Sequence, residues 1–199
     1  MSQPAHYQQM KEDDWGTPRD IAVAARGFMH GMDLDPASSK DRNAVVQADR
    51  ILGIEDADAQ LGIPVEWGKA QAIFINPPGG CRPDKFNPKT GKWSGPTYVS
   101  LFWAALAAHL EENPYAVFTW VAYNINQMQT LQQVDAELLK KCVVCVPSSR
   151  VQYLDKASEP VAGTPSASAI LGYCSNNGRT NVHMFKQNFA RIGAVWGPV

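Results

Sequence analysis

The chain has 199 residues, 45% hydrophobic and 19% charged. That is enough apolar material to bury a core, which excludes a disordered or fibrous chain. A formal net charge of −1 excludes attachment to nucleic acid by bulk positive charge, so any such contact has to be local.

The polar stretch Met1 to Lys11 has no signal-peptide character, and no later stretch reaches about eighteen unbroken apolar residues. The expectation is a soluble cytoplasmic protein with no membrane segment, a single domain over 1–199, and a flexible N-terminus at 1–12. Thr17 is placed to cap a helix that Pro18 begins, with Ile21, Val23, Ala24, Ala25 and Phe28 along it and an end near His30 and Gly31. Met32 to Asp35 reads as a short strand, and Ser38 and Ser39 lead into a helix carrying Ala44, Val45 and Ala48. Gly53 to Gly68 reads as irregular. Gln71 to Asn76 is an apolar run of strand length, stopped by Pro77-Pro78-Gly79-Gly80 because prolines cannot extend a ladder.

Residues 81–96, rich in Gly, Pro and Lys, read as one long loop, and loops of that length are usually functional. Thr97 to Glu112 carries Val99, Phe102, Trp103, Leu106 and Leu110 at helical spacing, a pattern that points to core packing. Strands are expected at Tyr115 to Tyr123, Cys142 to Val146, Val151 to Leu154 and Ala167 to Tyr173, with a polar helix or turn at Asn124 to Gln133 and a last helix around Val182 to Ile192. The alternation defines an α/β protein, a mixed central sheet with helices on both faces. Cys142 and Cys145 have the spacing of half a zinc site, but strand residues three apart point to opposite faces, so buried thiols and no metal are expected.

Two strand ends carry the chemistry, where open α/β sheets bind ligands. In Asp33-Leu34-Asp35-Pro36-Ala37-Ser38-Ser39 an acid at a strand end can accept hydrogen bonds from ribose hydroxyls or an ammonium group, and the helix start offers N–H groups to a carboxylate. The same segment is equally an ordinary capping turn. In Asn76-Pro77-Pro78 the Asn76 side-chain oxygen and the Pro77 carbonyl are two acceptors able to hold both N–H groups of a planar amine and aim its lone pair at an electrophilic methyl. A plain strand-terminating turn is the alternative.

From Asp13 to about Tyr173 the chain resembles the phage family of Dam-type DNA N6-adenine methyltransferases. The resemblance rests on Trp15-Gly16-Thr17-Pro18, on Asp33 to Ser39 followed by Asn43, and on Trp67 shortly before Phe74-Ile75-Asn76-Pro77-Pro78. It extends to Ser100 to Trp103, Val146-Pro147-Ser148-Ser149-Arg150-Val151 and Ser168 to Tyr173. It implies a Rossmann-like methyltransferase fold, S-adenosylmethionine as methyl donor, a flipped adenine in duplex DNA as target, and Asn76, Pro77 and Pro78 as the catalytic turn. Asp35, Asp33, Thr17, Pro18, Ser38 and Asn43 are the implied cofactor positions, in a monomer or homodimer.

The chain departs from the pattern at Gly79, where an aromatic usually stacks on the flipped base, and it lacks a glycine-rich cofactor loop. It is similar to an Asn-Pro-Pro-Gly-Gly subset. DNA recognition is expected of Arg82, Lys85, Lys89 and Lys92 in the loop, with Arg150 beyond it. Trp93, with Phe86 second, is expected to supply the missing ring. Methylation of RNA, of cytosine N4 or of a protein glutamine, and a DNA-binding or decoy protein without turnover, are the competing readings.

Overall fold

The structure, a computed structural model, describes residues 15–53, 67–82, 84–155, 157–161, 167–174 and 178–198, without the side chains of 92, 93 and 178–181. The expected flexible N-terminus and nearly all of the expected irregular stretch from Gly53 to Gly68 lie outside the described residues.

In chain order the elements are α1 (Arg19–Met29), β1 (Leu34–Asp35), α2 (Lys40–Val46), β2 (Arg50–Ile51), β3 (Ala72–Ile75), β4 (Lys85–Asn87) and β5 (Lys92–Ser94). They continue as α3 (Tyr98–Glu112), β6 (Val117–Ala122), α4 (Gln127–Val134), α5 (Ala136–Lys140), β7 (Val143–Pro147), β8 (Ala169–Cys174), α6 (Gly178–Phe189) and β9 (Gly193–Trp196). Seven strands form one sheet in the order β2-β1-β3-β6-β8-β7-β9. Pairing is parallel from β2 through β1 and β3 to β6, and antiparallel from β6 to β8, β8 to β7 and β7 to β9. This is a mixed α/β architecture, a central sheet flanked by helices and consistent with a generic Rossmann-like fold.

The strands are buried on both faces, and their side chains alternate between two cores. Ile73, Ile75, Phe118, Trp120 and Leu171 pack on one face with Val99, Phe102, Trp103 and Leu106 of α3, so the apolar stripe of that helix is core. Phe74, Val121, Cys145 and Ile170 pack on the other face with Ile21, Ala25 and Phe28 of α1 and Phe185 and Phe189 of α6. Cys142 belongs to the first core and Cys145 to the second, so the two thiols lie on opposite sides of the sheet. Burial pushes Cys145 up to about 11 and Cys142 higher still, which keeps both protonated.

Several expectations are corrected. Residues 81–96 are not one loop: β4 and β5 pair antiparallel with Phe86 opposite Trp93, and the pairing recurs at Cys81 and Thr97. The reversal follows from Asn87, whose side chain accepts from the Lys89 N–H at 3.0 Å, and from Gly91 at φ 66°, a left-handed conformation that glycine adopts freely. Val151 to Leu154 is not a strand. Only Leu154 pairs, with Gly16 and Pro160, because Pro147 ends β7 and the chain turns back. Thr17 does not cap α1, whose cap position is Pro18 and has no side-chain cap. The last helix ends at Phe189, and Gly193–Trp196 adds an edge strand that was not expected.

Candidate active site at the carboxyl edge of the sheet

The chain runs from β1 outward to β2, then returns to place β3 on the other side of β1. The direction of winding therefore reverses between β1 and β3, and in open α/β sheets ligands bind at the carboxyl ends of strands flanking such a reversal. Asp35 ends β1 and Asn76 directly follows β3, so the two sequence signals lie at the carboxyl ends of neighbouring parallel strands.

Asn76 is half-buried, and its Nδ2 donates to the Trp15 carbonyl at 2.8 Å and to Thr17 Oγ1 at 3.2 Å. A backbone carbonyl only accepts, so the atom facing Trp15 has to be the nitrogen, and this fixes the amide's orientation. Oδ1 is thereby turned away from Trp15, and among the described residues it accepts no hydrogen bond, nor does the Pro77 carbonyl. Pro77, Pro78 and Gly79 are buried, and Gly80 at φ 85° makes the turn.

The segment that orients Asn76 is itself pinned. Gly16 exchanges backbone bonds with Leu154 at 2.7 and 2.9 Å. The Arg42 guanidinium donates to the Leu154 carbonyl at 3.0 Å and also to that of Asp155. A Cβ on Gly16 would fall 2.3 Å from that guanidinium, so a larger residue there would push the Arg42 side chain aside. The Trp15 ring stacks on Tyr153 at 5.8 Å between centroids and meets Tyr123 edge-on at 6.0 Å. Burial raises the Tyr153 phenol pKa, so the hydroxyl stays protonated and donates to Ser168 Oγ at 3.2 Å, which donates to the Tyr123 carbonyl at 3.1 Å.

Asp35 is 3% exposed, and its Oδ1 accepts from the Ala37 N–H at 3.1 Å. Asp33 lies at the opposite end of the strand, where its Oδ2 accepts from the Gln71 and Ala72 N–H groups at 2.6 and 3.0 Å. Asn43 is committed to structure: its amide donates to and accepts from the backbone of Ala48 at 2.9 and 2.7 Å, bracing the left-handed turn at Gln47. Ser38 is buried, with its N–H donating to the Leu52 carbonyl. Thr17 touches Asn76, and Pro18 holds the cap position before α1.

The residues expected to contact DNA separate into two places. Arg82, Lys85, Lys89 and Lys92 lie on the β4–β5 arm, which leaves directly from the Asn76 turn. Arg82 pairs with Asp84 at 2.8 Å, and this hydrogen bond holds the Asp84 carboxyl below its usual range. Lys85 and Lys89 are exposed, and Phe86 is 52% exposed. The side chains of Lys92 and Trp93 lie outside the described residues. Arg150 is exposed and sits apart, beyond β7.

Of the other rings considered beside the turn, Tyr98 and Trp120 are core residues, while Tyr123 is half-buried against Trp15. Sequence reasoning missed the Trp15 carbonyl, the Tyr153–Ser168 pair and Gln127. The first two arise from tertiary pairing and leave no local signal. Gln127 opens α4 beyond β6 with its side-chain nitrogen and oxygen both buried and unpartnered among the described residues. A group left so costs on the order of 1–3 kcal/mol.

No protein-family model and no curated protein matches this chain. Its α/β topology is broadly compatible with the superfamilies of S-adenosylmethionine-binding methyltransferases. Among the described residues no helix is long and apolar enough to cross a membrane.

Proposed function

We propose that the chain methylates the exocyclic N6 amine of adenine in DNA, as a phage-type, Dam-like methyltransferase of the Asn-Pro-Pro-Gly-Gly subset. The observation that carries the reading is the Asn76 amide, locked by Trp15 and Thr17 so that its oxygen, beside the Pro77 carbonyl, is left for an incoming donor. An exocyclic amine offers two N–H groups to those two acceptors. Drawing both into hydrogen bonds withdraws the nitrogen lone pair from the ring and gives it a direction, and buried prolines hold the carbonyl still without reorganisation. No residue has to take the proton before transfer.

The carboxyl ends of β1 and β3 suit S-adenosylmethionine, because an acid at a strand end, Asp35, beside the Asn76 turn is of a type that accepts from hydroxyl or ammonium groups. When bound, the cofactor supplies an electrophilic methyl group. Trp93, with Phe86 second, remains the ring proposed for the aromatic surface that Gly79 lacks, the two opposite each other in register on the arm that leaves the Asn76 turn, so that a base taken out of a duplex recovers stacking.

The test is incubation with labelled S-adenosylmethionine and unmethylated DNA, followed by nucleoside mass spectrometry. N6-methyladenine is expected, and Asn76→Ala should lower its formation about a hundredfold, or roughly 3 kcal/mol, with cofactor binding by calorimetry nearly unchanged. A fully active Asn76→Ala removes the turn from the mechanism. Gly79 favours one second reading, a DNA-binding or decoy protein that keeps the fold without turnover, and amino methylation of another planar amine in RNA, cytosine or glutamine is the rival among enzymes. The same labelled cofactor detects it by where the label goes.

A further inference from the structure

A cavity of about 610 Å³ opens on the same edge of the sheet, between the start of α1 and the turn that leaves β7. Its lining includes Pro18, Asp20 and Ile21 from the start of α1, and Ser149, Arg150 and Arg191 from the segments that flank β7 and β9. Those flanking segments are tied together where β7 meets β9: the Ser148 N–H and Oγ both donate to the Ile192 carbonyl, at 2.9 and 3.2 Å. Arg150 and Arg191 are exposed and have neither an ion pair nor a side-chain hydrogen bond among the described residues. Asp20 is the one acidic lining residue, and its Oδ1 accepts from the Ile21 N–H at 2.8 Å. The lining therefore carries two guanidinium groups against one carboxylate.

We propose that this cleft seats the phosphodiester backbone of the duplex DNA whose base reaches Asn76. The inference rests on the function proposed above and identifies a grip for its substrate. A planar guanidinium presents a fork that fits phosphate oxygens, and two of them lining one cleft can hold a backbone at two points. The cleft adjoins the reaction site covalently, since Thr17 orients Asn76 and Pro18 lines the cavity. β3 and β7 are three strand spacings apart in the sheet, or about 14 Å. That is about four base-pair steps along a duplex. A base leaving its stack stays attached to its strand, so a fixed backbone nearby limits how far the duplex moves while the base turns.

The test is fluorescence anisotropy of a labelled duplex DNA oligonucleotide over a series of salt concentrations, using the full chain, Arg150→Ala/Arg191→Ala and Arg150→Lys/Arg191→Lys. The alanine pair should weaken binding at least tenfold and reduce the salt slope by about 1.8, whereas the lysine pair keeps most of the slope. Melting temperature and S-adenosylmethionine binding should match the parent chain, which separates loss of grip from loss of fold. An alanine pair with the parent's affinity and slope overturns the proposal, as does a parent chain that binds no duplex. Release of the oligonucleotide by millimolar inorganic phosphate, with no change of slope in the alanine pair, assigns the cleft to a free anion and also overturns it. If the slope falls as expected but the parent transfers no methyl group, the cleft stands and the reading of the Asn76 turn fails. Methyl transfer with an unchanged slope keeps the Asn76 turn and overturns the cleft.

Discussion

The orientation of one side-chain amide rests on two acceptors from a single neighbouring segment. Asn76 would turn more freely if either were lost, and Thr17 can be changed without touching the Trp15 carbonyl. Thr17→Val keeps the shape and removes the oxygen, at a cost of about 1 kcal/mol for one hydrogen bond. The expected outcome is a fall of roughly fivefold in kcat with KM for the cofactor unchanged, and recovery in Thr17→Ser, measured by steady-state methyl transfer. A variant that melts earlier but turns over at the parent's rate would make Thr17 a structural residue only. The tripeptide Asn76-Pro77-Pro78 was legible as a strand-ending turn that carries two acceptors, because its residue types suffice for that. The direction of the amide was not, since it depends on residue 15 meeting residue 76 after folding.

Elements with a strong apolar period were legible, and those made by pairing were not. The stripe of Val99, Phe102 and Leu106 marks a helix on one face of a sheet, and the run Ala72–Ile75 marks a strand buried on both. The arm of β4 and β5 has only three residues in each strand, with one ring apiece at Phe86 and Trp93, too short a run for alternation to show, although Asn87 and Gly91 bracket a turn. β9 escaped notice because its burial alternates only weakly at the sheet's edge. Gly172 in β8 marks how closely α6 packs on the sheet: a Cβ there would lie 2.3 Å from the buried Phe185 ring. Gly172→Ala should destabilise the fold by about 1–3 kcal/mol through overpacking, read as a lower urea midpoint with an unchanged m-value.

With a net charge of −1, the whole molecule can hold DNA only through places where its cations gather. The arm carries exposed Lys85 and Lys89, and Lys85→Ala/Lys89→Ala should lower the salt slope of duplex binding by up to about 1.8 while sequence preference persists. An unchanged slope in the same anisotropy titration would leave these lysines to solvent. The strand order has a further consequence, for the way the chain assembles as it is made. β8 follows β7 in sequence yet lies between β6 and β7, so β7 has no place beside β6 until β8 arrives. During synthesis β6, with Phe118, Trp120 and Val121 along it, waits as an open edge of unpaired N–H and C=O groups, the kind of edge on which chains aggregate. Leu154, which anchors the segment orienting Asn76, emerges in that same interval. The Asn76 turn is thus translated early and set late, and a nascent chain stalled before residue 169 would carry every residue of the turn on a sheet still missing the strand between β6 and β7.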